Sequence, residues 1–237
     1  MGALTNPLAR VIPSAQMRWQ SSMAAFAAAD REQQPAHDGV LFVGSSTIRM
    51  WNHLPQDFRQ APVVINRGFG GSTMADCHYF VQQLVVQYKP RQVLVYAGDN
   101  DLAVGRTPAQ VLASFQGFVK TVRRARPDTV IDYISIKPSP SRIALMPQIR
   151  ETNALLAAYI KTLPDAQYID VFSKMVDAQG APREELFRSD RLHMNDEGYT
   201  LWRSVISSYV LPPEGGGALE AHAPAAATVS AAGSARP

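Results

Sequence analysis

Short runs of consecutive apolar residues alternate along the chain with longer stretches in which apolar positions recur every three or four residues. The short runs are Val40–Val43, Val63–Ile65, Gln92–Tyr96, Thr129–Ile136 and Tyr168–Val171. They are rich in β-branched and aromatic side chains and read as strands. Several are apolar on neighbouring positions instead of alternate ones. That suits strands covered on both faces, as in a parallel sheet. The longer stretches read as amphipathic helices. Ser72–Tyr88 carries Cys77, Phe80, Val81, Leu84, Val85 and Tyr88 on one stripe and stops ahead of Pro90. Thr107–Pro108 reads as a cap with proline in the first turn, followed by Val111, Phe115, Phe118 and Val122. Pro147–Leu163 and Asn195–Val210 complete the set. Alternating strands and helices predict an α/β fold with a parallel sheet, in one three-layer α/β/α sandwich spanning residues 40–211. Residues 1–39 are predicted to add a packing helix around Met23–Ala29. The Ala-, Gly- and Pro-rich stretch 212–237 has too little to bury and is predicted to be a disordered tail.

Composition narrows this picture by exclusion. A chain of 237 residues can bury a core without staples. Its net charge of +3, with Lys and Arg scattered, does not make the clustered basic face that nucleic-acid binding requires. A single cysteine, Cys77, excludes an internal disulfide framework and a multi-thiolate zinc site. No apolar run reaches the ~18–20 residues of a membrane span. No secretory apolar stretch is visible, so a cytoplasmic location is expected for the sequence as written. The helical stripes are one-sided and leave the oligomeric state open.

Ligands of open parallel sheets bind beyond the carboxyl ends of the strands. The polar residues that follow each apolar run therefore carry the candidate chemistry. Ser46 follows the first run, Gly68–Gly71 and Ser72 the second, Asp99–Asp101 the third, Lys137 the fourth, and Asp190 and His193 come after the fifth. A serine becomes a nucleophile when a base takes its proton and a third group orients the base. Asp190 and His193, three residues apart, can supply both roles on one turn. Taken singly, Ser46 and Asp190 also fit helix N-caps, Asn100 a turn and the glycines simple turn geometry. Gly71 and Asn100 are candidate donors to an oxyanion. Arg49, Trp51, Phe69, Lys137 and Arg191 lie near enough to strand ends to shape a substrate pocket. Lys137 and Arg191 would put positive charge there. Two other readings stay open on these residues alone. Asp99, Asp101, Asp190 and His193 could form a metal-dependent phosphoesterase site. The glycine-rich turn before Ser72 could make a non-catalytic flavodoxin-like module that holds an anion.

Taken together, four segments resemble the sequence blocks of the SGNH hydrolases, the GDSL-type esterases and lipases. Val43–Gly44–Ser45–Ser46 resembles the first block, Arg67–Ser72 the second, Gly98–Asp99–Asn100–Asp101 the third and Asp190–Arg191–Leu192–His193 the last. The resemblance implies a flavodoxin-like sheet of strand order 2-1-3-4-5. It implies a serine esterase acting on a small-molecule ester without metal or organic cofactor. Ser46, His193 and Asp190 would form the triad. The Ser46 and Gly71 amides with the Asn100 side chain would form the oxyanion hole. Short-chain acyl esters or acylated sugars are the expected substrates, and acyl transfer to an alcohol by the same triad is the alternative. Two departures stand out. Ser45 replaces the usual aspartate of the first block, and Arg191 and Met194 replace the glycine and proline of the last.

Overall fold

A computed structural model describes residues 7–212. The predicted tail, apart from Pro212, lies outside the described residues. The chain runs α1 (Pro7–Glu32), β1 (Val40–Gly44), α2 (Ser46–Arg49), α3 (Leu54–Asp57), β2 (Val64–Gly68), α4 (Met74–Tyr79), α5 (Val81–Leu84), β3 (Gln92–Tyr96), α6 (Asp99–Ala103), α7 (Pro108–Ala125), β4 (Val130–Ile134), α8 (Met146–Ile160), β5 (Tyr168–Ile169) and α9 (Asp196–Ile206). The sheet is parallel throughout, in the order β2-β1-β3-β4-β5.

Both faces of the sheet are covered, as the unbroken apolar runs require. Side chains alternate across a strand. Leu41, Val43, Ile65, Val93, Val95, Ile131 and Tyr133 therefore enter one core, beneath α4, α5, α7 and α8. Val40, Phe42, Leu94, Tyr96 and Ile134 enter the other, beneath α2, α3 and α9. Cys77 is buried in the first core, where burial pushes its thiol up. Helix α7 starts as expected. Thr107 accepts from the Gln110 amide, the Gln110 side chain reaches back to the Thr107 amide, and Pro108 occupies the first turn.

The stretch predicted as one helix over Ser72–Tyr88 is broken. It divides into α4, α5 and a short turn at Val86–Tyr88. The backbone leaves helical geometry at Phe80 (φ −93°, ψ 13°) and at Val85 (φ −133°, ψ −62°). Across these bends Phe80, Val81, Leu84, Val85 and Tyr88 all stay buried in the first core. Strand β5 is shorter than its apolar run. The Ser135 hydroxyl takes the Val171 and Phe172 amides and turns the chain out of the sheet.

Helix α1 lies across the first core. Trp19 is buried there, with Met23 and Phe26 packed beside it. Asp30 anchors its far end, at 2.5 Å from both Arg67 Nη2 and the Tyr88 hydroxyl.

One glycine is dictated by close packing. A Cβ built on Gly44 (φ +153°) would lie 1.9 Å from the Tyr96 carbonyl oxygen. Neither strand can move without breaking the ladder. Gly44→Ala is expected to cost more than about 2 kcal/mol of stability, measured by urea denaturation. A loss below about 0.5 kcal/mol would contradict the packing described.

Candidate active site

Every strand ends at the same edge, and the chain places its candidate residues there. β1 ends at Gly44. Ser45 follows as the N-cap of α2 in extended conformation (φ −86°, ψ −161°), and Ser46 opens the helix. The capping position therefore belongs to Ser45. The half-buried Ser46 instead directs its Oγ to His193 Nε2, 2.9 Å away. His193 Nδ1 lies 2.6 Å from Asp190 Oδ2. The other Asp190 oxygen accepts the Leu192 and His193 amides, each at 2.9 Å. A carboxylate on Nδ1 holds the proton at that nitrogen and leaves Nε2 as an acceptor for the Ser46 hydroxyl. Burial raises the Asp190 pKa, but the His193 ring and the two amides more than offset it and hold the carboxyl at about 2.

Several contacts fix this turn against α2. The Ser141 amide donates to the Arg191 carbonyl at 2.9 Å, and the Arg188 amide to the His193 carbonyl at 2.8 Å. From α9, the Tyr199 hydroxyl donates to the Thr47 carbonyl at 2.9 Å. Arg191 adopts a left-handed backbone (φ +57°). That conformation explains why the resembling sequences carry glycine there.

The second and third blocks meet beside Ser46. The Phe69 amide and the Ser72 hydroxyl both donate to the Gly44 carbonyl, at 2.9 and 3.2 Å. Gly71 turns the loop between them at φ +76°. Asn100 Nδ2 donates to the Ser72 carbonyl at 2.9 Å, and Arg142 Nη2 donates to Asn100 Oδ1 at 2.9 Å. Arg142 also donates to the Asp99 carbonyl. The Asp99 carboxylate lies 3.5 Å from Arg142 and 3.7 Å from Lys137. Asp101 points elsewhere. Its Oδ2 accepts the Met74 amide at 2.7 Å and caps α4.

Of the residues expected to shape a pocket, Arg49 is exposed beside the site with no partner among the described residues, its guanidinium against Gly70. Trp51 is 2% exposed, packed among Phe42, Phe58 and Trp202. Its indole donates to Asp57. Phe69 is 1% exposed, between Trp19 and Phe80. The apolar cores on either face draw both rings inward, so neither is a substrate platform. Lys137 is likewise interior. It donates to Ser139 Oγ at 2.8 Å, and burial lowers its pKa. Arg191 is exposed and paired with Glu184. The positive charge expected from Lys137 and Arg191 is thus neutralised by carboxylates. Sequence reasoning missed Arg142. It follows the Lys137–Ser139 strand end, but its contact with Asn100 crosses 42 residues. No spacing rule reaches that far.

The sequence profile of the GDSL-like lipase/acylhydrolase family matches residues 36–201, most of the chain. The chain belongs to that family. It is a hydrolase acting on ester bonds. Solved structures share the fold at low identity. A Streptococcus pneumonia protein aligns with a TM-score of 0.72 at 18% identity, covering 86% of this chain and 99% of its own. A GDSL-like lipase from Bacteroides thetaiotaomicron gives 0.65 at 20%, covering 81% and 95%. A family 3 carbohydrate esterase from Clostridium thermocellum gives 0.57 at 15%, covering 72% and 95%. No protein of curated function matches the sequence. Among the described residues, no helix of this acylhydrolase is long and apolar enough to cross a membrane.

The buried Asp101 beside the site generates a pH dependence. Burial pushes its carboxyl up to about 6, against the opposing pull of the Met74 amide. A raised acid pKa favours the neutral form in the folded state. Its contribution is full below the unfolded value near 3.8 and is lost as pH rises through about 6. Asp101→Asn keeps an acceptor for Met74 but cannot ionise. Its stability should fall less than that of the wild type between pH 4 and 7, by on the order of 2 kcal/mol. Urea melts at both pH values decide this, and equal changes in unfolding free energy for the two proteins would contradict it.

Proposed function

We propose that this acylhydrolase is a serine esterase that works through Ser46, His193 and Asp190. The observation that carries this reading is the continuous hydrogen-bonded line from Asp190 through His193 to the Ser46 hydroxyl. His193 Nε2 takes the proton as Ser46 Oγ adds to the ester carbonyl. Asp190, held ionised by its three donors, keeps the ring oriented and stabilises the imidazolium. The imidazolium then protonates the departing alcohol. Water, deprotonated by the same ring, cleaves the acyl-enzyme. Negative charge builds on the carbonyl oxygen in both steps. The Ser46 and Gly71 amides and the Asn100 side chain are the donors for it.

The Asn100 amide can serve because its ends are sorted. Arg142 can only donate, so the atom facing it is the oxygen. The Ser72 carbonyl can only accept, so the other end is NH2. One hydrogen of that group goes to Ser72, and the second is left for the oxyanion. Arg142 is therefore a positioning residue.

Short-chain acyl esters or acylated sugars are the substrates this reading favours. Helices α2 and α6 begin within three residues of the strand ends, which leaves the triad at an open edge. The His193 and Asp190 side chains are 21% and 46% exposed. The carbohydrate esterase of similar fold is consistent with acylated sugars.

An ester panel of increasing acyl length, with acetylated sugars, tests the reading on the wild type and on Ser46→Ala. The variant should lose about 10⁴-fold or more in kcat. An organophosphonate should label the wild type at Ser46. Near-normal turnover by the variant would refute the serine mechanism. Product analysis with added alcohol separates hydrolysis from transfer. For the oxyanion site, Arg142→Ala should lower kcat about 10- to 100-fold with little change in KM. In an Asn100→Ala background, the same change should cost almost nothing more. Additive losses would mean that Arg142 acts by another route.

A further inference from the structure

The cations around the site divide into two groups. Lys137 and Arg142 face Asp99, Arg191 pairs with Glu184, Arg67 pairs with Asp30, and Arg188 donates to the Met194 carbonyl. Arg49 and Arg18 have no carboxylate or hydrogen-bond partner among the described residues, and both are exposed. They flank the same two glycines. A Cβ on Gly70 would lie 3.0 Å from Arg49 Nε, and a Cβ on Gly71 would lie 3.5 Å from Trp19 and 4.0 Å from Arg18 Nη2. Consecutive Cα atoms are about 3.8 Å apart, so the two guanidinium groups lie beside neighbouring residues of one loop.

That backbone is the proposed oxyanion loop, and Arg49 is also close to the nucleophile. It lies three residues after Ser46 on α2, where helical spacing puts side chains on one face about 5–6 Å apart. Arg18 comes from α1, before residue 36 where the family match begins. It is held by stacking on Trp19, 4.7 Å from the ring centroid, and Trp19 is itself fixed edge-on against Phe69. A guanidinium stacked on a fixed ring is preoriented, so less side-chain entropy is lost when it takes a ligand.

Resting on the esterase reading above, we infer that Arg49 and Arg18 form an anion subsite on the Gly70–Gly71 side of the nucleophile, and that the preferred substrates are esters bearing a carboxylate near the scissile carbonyl. Each guanidinium offers a planar pair of donors that matches a carboxylate. Gly70 and Gly71 carry no side chains of their own, and the Arg49 guanidinium lies 3.0 Å from where a Gly70 Cβ would stand. Both groups are solvent-exposed, so each contact contributes modestly and is screened by salt.

The test uses two matched pairs of esters with the full-length protein. One pair carries the charge on the acyl side, 4-nitrophenyl hemisuccinate against 4-nitrophenyl butyrate. The other carries it on the alcohol side, 4-acetoxybenzoate against its methyl ester. The readout is the anionic-to-neutral ratio of kcat/KM, compared between variants so that intrinsic reactivity cancels. In at least one pair, Arg49→Gln with Arg18→Gln should lower the ratio about 3- to 30-fold at 50 mM salt. Raising salt to about 0.5 M should erase most of the wild-type preference. Arg124→Gln, an exposed cation on α7, should leave the ratio unchanged. Ratios within twofold of wild type for the double variant, in both pairs, would overturn the subsite while leaving the esterase reading intact. A wild type that turns over none of the four esters would overturn both.

Discussion

The structure depends on the close approach of β1 to β3 at Gly44. The space normally filled by a side chain is occupied there by the Tyr96 carbonyl oxygen, and the Ser45 amide donates to that same oxygen at 3.1 Å. Because β1 can lie this close, Ser46 emerges at the strand edge at the start of a helix. The Gly44 carbonyl also holds the second block through Phe69 and Ser72. One position without a side chain thus sets Ser46, the glycine loop and the central pair of the sheet in register.

A second constraint is electrostatic. Asp99 is almost fully buried and faces both Lys137 and Arg142. Removing charges from water is costly, and such a cluster persists only when its members are mutually satisfied. Here the arrangement sits directly behind Asn100. Lys137 is held by Ser139, whose hydroxyl leans 3.5 Å toward the Leu192 carbonyl. Arg142 takes Asn100. The buried charges thereby link the third block, the loop after β4 and the Asp190–His193 turn. Lys137 and Arg142 turn inward to share Asp99, which leaves the open edge to Arg49 and Arg18.

Helix α1 shows how an element outside the matched family region joins the domain. Trp19, Met23 and Phe26 complete the core over α4 and α5, and Asp30 satisfies Arg67 and Tyr88. Arg67 is nearly buried and stacks on the rings of Phe26 and Tyr88. Without Asp30 it would be a charge with no counter-ion inside the fold.

The sequence by itself determined the fold class, the strand order through its resemblance, and the four segments that meet at the candidate site. These are local properties. Burial on both faces writes unbroken apolar runs, helices write three-to-four spacing, and Ser46, Gly71, Asn100, Asp190 and His193 each follow an apolar segment. Tertiary structure alone decided which side chains face inward. Trp51 stands in the α2–α3 connection and Phe69 and Lys137 in strand-end loops, yet the fold takes all three in, because a loop's sequence carries no period that states its direction. It also decided the bends at Phe80 and Val85, which interrupt a continuous helical stripe while keeping its apolar residues buried. The partners of Asn100 and Ser46 belong to the same class. Arg142 and His193 reach them across 42 and 147 residues, and such contacts exist only once parallel strands bring distant loops to one edge.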